Sequence, residues 1–330
     1  MSGCSLNCSI VENKYRDYRD RITGISDMWW VTKVFSITPQ KLNTIILKRM
    51  AMGKGISLNI GLNSVDPNHY GGWDGQLAGC ENDANDMADI GATANFDVKK
   101  LLTKDVTVDN LKTSIHSAAQ VLESNDYFFL SYSGHGGQLK DENNDEDDYL
   151  DETWCLYDRQ FVDDELNSCL RDFKEGVKIF VLSDSCHSGT VVKGEAIQKT
   201  IAIDKFNSNV DKKGNKYRFA PDMVLSRTYD QNKALYDRIL SDISNKEKEP
   251  IASILLISGC QDNELSQDGT YNGYFTSNLK KIWDGGKFKG SYKKFYKLIY
   301  NNMMASDQHP KYFKDGKQDP FFEKARPFTL

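Results

Sequence analysis

The stretch Tyr127-Phe-Phe-Leu-Ser-Tyr132 is a short apolar run with one serine, and it leads into the turn Ser133-Gly-His135-Gly-Gly137. An apolar run of this length without alternation is typical of a strand that is buried on both faces of a parallel sheet. Four other segments have strand character: Ile56–Leu62, Val98–Leu102, Val177–Ser183 and Ile251–Ser258. The chain therefore predicts a sheet whose central strands are covered on both sides.

Helical patterns lie between these strands. Leu77–Phe96 places Ala84, Met87 and Ala88 on one side, and Thr107–Leu122 predicts a second helix. Strands that alternate with helices require crossover connections, and these connections build a doubly wound sheet. We therefore predict an α/β fold with a mostly parallel central sheet and helices on both faces.

The pattern also suggests how the chain is divided. Residues 54–330 hold all of these elements and are predicted to form one domain, while residues 1–53 form an N-terminal extension of undefined role. Met50-Ala51-Met52 offers an alternative start of the chain. Residues 193–249 are polar and rich in lysine and arginine, as in a surface linker between two strands. Asp141–Asp151 holds seven carboxylates and predicts a solvated loop or a cation site.

The composition excludes several classes of function. The net charge of −5 provides no basic field for nucleic acid or an anionic membrane. Charged residues from Lys14 to Asp20 interrupt any signal peptide, and the apolar stretch Met28–Met50 is too broken to span a bilayer. The cysteine count is odd, at seven, and no CxxC pair occurs, which argues against a disulfide scaffold or a zinc ribbon. We expect a cytoplasmic protein with reduced thiols that binds neither nucleic acid nor membranes.

Two of the predicted strands end in reactive side chains. His135 follows the strand that ends at Tyr132, and Cys186 follows the strand that ends at Ser183. Ligands of open α/β sheets bind outside the carboxyl ends of the strands, so the two side chains would face one cleft if their strands are neighbours. An imidazole beside a thiol raises the reactive thiolate fraction or protonates a leaving amine. The pair therefore predicts Cys186 as a nucleophile and His135 as its catalytic partner.

The prediction depends on the two motifs together, because a lone cysteine at a strand end is usually a core residue and a lone histidine usually lies at the surface. His187 adjoins the cysteine, but neighbours on an extended chain point to opposite sides, which makes His187 a poor general base. Gly136 has no side chain to block its N–H. That group and the N–H of Cys186 are the candidate donors to a developing oxyanion.

These motifs resemble those of the caspase-like cysteine peptidases, and of the metacaspases most closely. The segments that carry the resemblance are Ile56–Asn63, Ala78–Asp83, Ser131–Gln138 and Asp184–Gly189, with weaker likeness at Ile257–Cys260 and Gly273–Thr276. The resemblance covers about residues 55–285. It implies a caspase-like three-layer sandwich and hydrolysis of peptide bonds by a histidine–cysteine dyad.

Acidic residues near the cysteine predict the substrate. Asp184 precedes Cys186 by two residues, so both side chains lean the same way on an extended segment. Asp83 lies after the first strand at the same edge, although a carboxylate there also suits a helix N-terminus. Two carboxylates beside the nucleophile would form a pocket for arginine or lysine, and hence for protein or peptide substrates with basic residues. The matching positions of metacaspases line such a pocket, and the resemblance adds Cys80 and Ser133 to it.

Calcium is implied by the resemblance alone. In calcium-activated metacaspases, aspartates that resemble Asp151, Asp163 and Asp164 bind the ion, and hard oxygen ligands suit calcium. A fourth family ligand is not matched: Lys193 stands near its position, and Glu195 could replace it only if the loop is shifted. The alternative is a solvated acidic loop with a helix cap at Asp163. In this interpretation calcium is an activator, and the chemistry itself requires no cofactor.

Residues 193–249 resemble a self-processing loop that is cut after a basic residue, and the alternative is a charged surface linker. The predicted function is that of a monomeric cysteine endopeptidase that cleaves after Arg or Lys. The competing hypotheses are an inactive caspase-like scaffold that binds partners and a hydrolase or transpeptidase of another cysteine type. Intact His135 and Cys186 argue against the scaffold, and the acidic pocket favours a basic peptide side chain.

Overall fold

Nine strands form two sheets in the part of the chain that the structure describes. The computed structural model describes residues 53–140, 150–186, 208–211, 214–243, 250–261 and 264–330. The strands are β1 (Gly55–Gly61), β2 (Asp97–Leu102), β3 (Tyr127–Ser133), β4 (Gly136–Lys140), β5 (Leu150–Cys155), β6 (Gln160–Val162), β7 (Lys178–Asp184), β8 (Ser253–Ser258) and β9 (Lys311–Gly316). The central sheet has the order β2-β1-β3-β7-β8-β9, and β4, β5 and β6 form a small antiparallel sheet. Within the central sheet β9 runs antiparallel to β8, and the other strands are parallel.

Eight α-helices accompany these strands in the described residues. They are α1 (Cys80–Thr93), α2 (Val108–Val121), α3 (Asp163–Leu170), α4 (Asp222–Gln231), α5 (Lys233–Ile243), α6 (Tyr274–Trp283), α7 (Tyr292–Met303) and α8 (Pro320–Lys324). Thr107 begins α2 as its N-cap, because its side chain accepts a hydrogen bond from the backbone N–H of Asn110. In that part of the chain, no helix combines the length and the apolar composition that crossing a bilayer would require.

The alternation of side chains along β3 separates two apolar cores. Phe128 and Leu130 belong to the core that α2 and α3 cover, while Tyr127 and Phe129 belong to the core that α1, α6, α7 and α8 cover. All four side chains are at most 1% exposed. Burying a side chain of this kind stabilises the fold by roughly 1.5–3 kcal/mol. The prediction of a parallel sheet between two layers of helices is therefore confirmed.

Most predicted elements agree with the structure to within a few residues. The first helix is shorter than predicted: it begins at Cys80 and not at Leu77. The carboxylate of Asp268 accepts the backbone N–H groups of Ala78 and Gly79, at 2.8 and 3.2 Å, and so holds the chain just before this helix. These contacts come from a residue far away in sequence, which the helical pattern could not include.

The predicted linker at residues 193–249 is partly helical. Helices α4 and α5 occupy most of its second half, so a polar linker describes this segment incompletely. Residues 193–207, 212–213 and 244–249 lie outside the described residues, as do residues 1–52 of the predicted N-terminal extension. Gly53–Leu330 forms one compact unit.

Candidate active site

The ends of β3 and β7 bring the two reactive residues together. These strands are neighbours, and their register pairs Ser133 with Asp184, the last residue of each strand. His135 and Cys186 each follow two residues later, at adjacent strand ends. The backbones approach so closely here that a Cβ on Gly136 would lie 1.9 Å from the carbonyl oxygen of Cys186. Glycine is therefore required at this position by packing, in addition to leaving its N–H accessible.

Cys186 is fully buried, and the apolar side chains clustered with it are Tyr217, Phe219, Cys260 and Leu265. Its sulfur accepts a hydrogen bond from the backbone N–H of Ser266 at 2.6 Å, which fixes the position of the sulfur. The thiol of Cys260 is hydrogen-bonded with Cys186. This bond, together with burial, raises the pKa of Cys260 well above its ordinary value. Cys260 therefore stays protonated at neutral pH.

His135 is buried between a backbone carbonyl and an aromatic ring. Its Nε2 lies 2.8 Å from the carbonyl oxygen of Gly75, which makes Nε2 the protonated nitrogen of the neutral ring. The imidazole and Trp73 ring centroids are 4.7 Å apart. Burial lowers the pKa of His135 to about 4, although Gly75 and the Phe219 backbone favour the protonated form. Among the described residues Nδ1 has no hydrogen-bond partner, so it is the nitrogen available to take up a proton.

Sequence reasoning did not identify Trp73 or Gly75 as parts of this site. Gly75 has a φ of +55°, and a Cβ there would lie 2.8 Å from the Trp73 ring and 3.1 Å from the imidazole of His135. Both residues belong to the loop after β1. The glycine was the one available signal, because loop composition predicts a turn but not its packing partner.

The four predicted pocket residues, Asp83, Asp184, Cys80 and Ser133, lie at the same edge of the sheet, and all four are buried. The hydroxyl of Ser133 donates a hydrogen bond to the carboxylate of Asp83 at 2.7 Å. Cys80 is the first residue of α1, and burial raises the pKa of its thiol. Burial also raises the pKa of Asp83 above its ordinary value. The structure therefore brings together the residues that were predicted to form one pocket.

Hydrogen bonds from several elements hold Asp184 in position. The hydroxyls of Ser266 and Thr276 donate to its carboxylate at 2.6 and 2.8 Å. Gln308 in turn donates to the Ser266 hydroxyl at 3.0 Å. A buried carboxylate needs such donors, because an unpaired one would be costly to desolvate. The orientation of Asp184 is thus set by Ser266 in the β8–α6 loop, by Thr276 on α6 and, through Ser266, by Gln308 before β9.

A side chain of the protein itself occupies this pocket. Arg218 is 0% exposed, and its guanidinium forms ion pairs with Asp83 at 2.7 Å, Asp184 at 2.8 Å and Asp268 at 3.0 Å. The Ser133 oxygen accepts another of its N–H groups at 2.8 Å. The carboxylates outweigh the effect of burial and raise the pKa of Arg218 well above its ordinary value. The pocket therefore holds a fully charged guanidinium.

The carbonyl oxygen of Arg218 occupies the place predicted for an oxyanion. The backbone N–H groups of Gly136 and Cys186 both donate to this oxygen, each at 3.0 Å. Two backbone donors that converge on one oxygen can stabilise the negative charge of a tetrahedral intermediate. These donors were predicted as a pair, but the residue bound to them was not.

Lys216–Ala220, which we call the docked segment, crosses the site and forms isolated bridges with neighbouring backbone on both sides of a bend at Arg218. The N–H of Arg218 donates to the carbonyl of Ser266 at 2.9 Å, and the N–H of Asp268 donates to the carbonyl of Lys216 at 3.0 Å. Peptides are often recognised in this way, by adding a strand to an exposed backbone edge. The docked segment is therefore bound as a peptide ligand would be.

Neither Arg218 nor Asp268 was assigned to the site from the sequence. Arg218 was one of several basic residues in the predicted linker. Asp268 follows β8, whose carboxyl end lies at the same edge as His135 and Cys186. The rule that pointed to those two residues would also have drawn attention to the segment after β8.

The predicted calcium ligands belong to two elements: Asp151 lies on β5, and Asp163 and Asp164 begin α3. Burial and the nearby carboxylates of Glu152, Asp164 and Asp151 raise the pKa of Asp163 well above its ordinary value. Within the described ranges, no three His, Cys, Asp or Glu side chains lie close enough together to hold a metal ion. Residues 141–149 and 187–207, which include His187, Lys193 and Glu195, lie outside those ranges. The calcium site stays a prediction.

A mostly parallel sheet with a histidine and a cysteine at adjacent strand ends is the arrangement of a caspase-type α/β protein. The family model described as "Caspase domain" matches residues 65–328. This match covers well over half of the sequence, and the chain belongs to the caspase domain family.

Several sequence relatives are fungal metacaspases. Metacaspase-1 of Ajellomyces capsulatus is 31% identical over 255 residues, which are 69% of this chain and 69% of that protein. Metacaspase-1A of Aspergillus fumigatus is 30% identical over 253 residues, 69% of this chain and 59% of the relative. Metacaspase-1 of Pyricularia oryzae is 29% identical over 246 residues, 66% of this chain and 60% of the relative. The chain thus spans about 60% of the length of the last two relatives.

A solved structure is similar over most of the chain. Protein GSU0716 from Geobacter sulfurreducens aligns with a TM-score of 0.75 and 49% sequence identity. The alignment covers 84% of this chain and 98% of that chain. This likeness supports the caspase-like fold independently of the strand patterns.

Proposed function

We propose that this protein is a cysteine endopeptidase that hydrolyses peptide bonds after arginine or lysine, with Cys186 as nucleophile and His135 as proton carrier. One observation carries the proposal: the protein binds its own Arg218 as a substrate would be bound. The guanidinium lies among three carboxylates, and the carbonyl oxygen accepts the N–H groups of Gly136 and Cys186.

The chemistry follows from these positions. The Cys186 sulfur attacks the carbonyl carbon of the basic residue, and the N–H groups of Gly136 and Cys186 stabilise the oxyanion that forms. His135 takes up the thiol proton and passes it to the leaving amine as the carbon–nitrogen bond breaks. A thioester remains on the cysteine. Water, deprotonated by the same imidazole, then hydrolyses the thioester and restores the thiol.

The burial of His135 suits this role. A pKa of about 4 keeps the imidazole neutral before the reaction, so that it can accept the proton. The Phe219 backbone, which follows the Arg218 carbonyl, contributes to the electrostatic environment of the ring.

We extend the proposal to self-processing. The docked segment has the basic residue and the carbonyl placement that a substrate needs, so the bond between Arg218 and Phe219 is the bond we expect the protein to cut in its own chain. The alternative interpretation of residues 193–249, a charged surface linker, does not account for a buried arginine with three acidic partners.

The protein is further proposed to act as a monomer in the cytosol on protein or peptide substrates. The cysteines at 80, 155, 169, 186 and 260 are all free thiols, which suits a reducing compartment.

Matched reporter peptides with arginine, lysine or aspartate before a fluorescent amine test the specificity. We expect cleavage after arginine and lysine and at least about 100-fold slower cleavage after aspartate, because like charges in a desolvated site cost several kcal/mol. Asp83→Asn should reduce cleavage after basic residues, while the exposed Asp97→Asn should not. A preference for aspartate would exclude the acidic pocket, and no cleavage of any peptide by folded protein would exclude the enzyme.

We also propose calcium as an activator, on the acidic surroundings of Asp163. Because a carboxylate must lose its proton to bind a metal, the raised pKa of Asp163 predicts calcium affinity that increases as pH rises. Calorimetric titration should show binding at roughly 10⁻⁵–10⁻³ M calcium, with cleavage faster in calcium than in a chelator. Asp163→Asn should weaken both effects, and the exposed Asp109→Asn neither. Equal rates with and without chelator, and no heat of binding, would remove calcium from the proposal.

A further inference from the structure

A third carboxylate, that of Asp268, contributes to the pocket from the segment between β8 and α6. Its Oδ2 accepts the N–H of Ala78 and its Oδ1 accepts the N–H of Gly79, at 2.8 and 3.2 Å. These two backbone donors fix the carboxylate at the start of α1. The side chain is 2% exposed, so water does not compete for its lone pairs.

Asp268 contacts a different part of the guanidinium from the other two carboxylates. Its Oδ1 lies 3.0 Å from Nη2 and 3.3 Å from Nε of Arg218. Asp83 forms an ion pair with Nη2 at 2.7 Å, whereas Asp184 forms an ion pair with Nη1 at 2.8 Å and the Ser133 hydroxyl accepts a hydrogen bond from Nη1 at 2.8 Å. The guanidinium donates hydrogen bonds to Asp268 from Nε and Nη2, and to the Ser133 hydroxyl and the Asp184 carbonyl from Nη1. Among the described residues, Nε is therefore reached by Asp268 alone.

A lysine side chain in the same pocket would leave this arrangement incomplete. A lysine has a methylene group at the chain position of Nε, and its single nitrogen corresponds in position to the guanidinium carbon. It therefore offers three N–H groups in place of five and none toward the Nε side. A buried carboxylate that loses a donor carries the cost of its desolvation without compensation.

We propose that Asp268 is a specificity-determining residue that makes the pocket select arginine over lysine. The proposal deepens the proposed cleavage after basic residues and depends on it. Asp83 and Asp184 supply negative charge that attracts either an arginine or a lysine side chain. Asp268 accepts a hydrogen bond from the Nε–H group, which only arginine has. The substrates of the enzyme are therefore peptides with arginine before the cleaved bond, and lysine peptides are secondary.

The test compares kcat/KM for two peptides that differ only in arginine or lysine before the reporter amine, using the full chain. The wild type should cleave the arginine peptide at least about tenfold better, since one hydrogen bond to a charged group is worth roughly that factor. In Asp268→Asn the arginine-to-lysine ratio should fall by about tenfold. Asp86→Asn is the matched control: Asp86 lies on α1, and its carboxylate binds Asn272 and Lys280 and not Arg218, so the ratio should not change.

The ratio is measured on one sample, so a fraction of unfolded protein lowers both rates equally and leaves the ratio unchanged. If Asp268→Asn does not fold, a wild-type assay decides: an arginine peptide methylated on Nε should be cleaved at a rate close to that of the lysine peptide. An unchanged ratio in folded Asp268→Asn, or full activity on the methylated peptide, would overturn this inference alone. Failure of the wild type to cleave either peptide would instead overturn the proposed function.

Discussion

Replacing Cys186 with alanine should leave the Arg218–Phe219 bond intact and slow the cleavage of arginine peptides by roughly 10⁴-fold or more. The alanine removes the atom that attacks the carbonyl carbon, while the two backbone donors to the Arg218 oxygen and the acidic pocket remain. Because the sulfur is the only group lost, the variant should still fold and still bind its docked segment. Intact-protein mass spectrometry checks the bond, and initial rates with a fluorogenic arginine peptide check the turnover.

Cys169→Ala is the matched control for this experiment. Cys169 is a half-buried free thiol on α3, and its removal should change neither the mass pattern nor the rate. Cleavage of the chain at residue 218 in purified Cys186→Ala, or peptide turnover equal to that of the wild type, would show that another group performs the chemistry.

Arg218→Ala should destabilise the protein and open the site at the same time. The substitution leaves three buried carboxylates without their cation, and breaking a buried ion pair in this way costs about 3–5 kcal/mol. The lost guanidinium also empties the pocket, so added arginine peptides should be cleaved faster than by the uncut wild type. Urea unfolding measures the first effect, and initial rates with added peptide measure the second.

The stability lost in Arg218→Ala should depend on pH, and the direction of this dependence can be predicted. Burial raises the pKa of Asp83 above its value in the unfolded chain and Arg218 opposes this rise, so without Arg218 the pKa of Asp83 should rise further. Groups with raised carboxyl pKa values favour the folded state less as pH rises and they ionise. The difference between Arg218→Ala and the wild type should therefore be largest at neutral pH and shrink toward acid pH.

Arg227→Ala serves as the control for Arg218→Ala, because Arg227 is an exposed arginine on α4 with one hydrogen bond, to the carbonyl of Gly71. It should change stability by less than about 0.5 kcal/mol. A stable Arg218→Ala protein with unchanged peptide cleavage would mean that the docked segment neither supports the fold nor blocks the site.

The sequence predicted the structure correctly where the informative residues lie in one strand and in the turn directly after it. The apolar runs predicted the central sheet, and the rule about strand ends predicted that His135 and Cys186 would share an edge. It also led to Asp184, which ends β7, and to Asp83, which lies in the first helix after β1. These predictions used residues that are close together in the chain. The register of β3 with β7 then places the residues after the two strands side by side.

Contacts between segments that are far apart in sequence could not be predicted in this way. Trp73 packs on an imidazole about 60 residues later, Asp268 holds the start of α1, and Arg218 reaches three carboxylates on three different segments. The spacing of apolar residues along the chain does not predict such contacts, because they depend on how the loops pack against the folded sheet. Loop composition showed where the chain turns, and only the structure showed what each loop covers.

The docked segment also competes with any other peptide for binding beside the cysteine. Because it is tethered to the same chain, its effective concentration at the site is of the order of millimolar, whatever the concentration of the protein. A micromolar substrate of equal intrinsic affinity would then occupy the site only about one-thousandth as often as the docked segment. Hydrolysis of the Arg218–Phe219 bond frees the docked segment at one end, so a single cut weakens a competitor for the site while the residues that line the pocket stay the same.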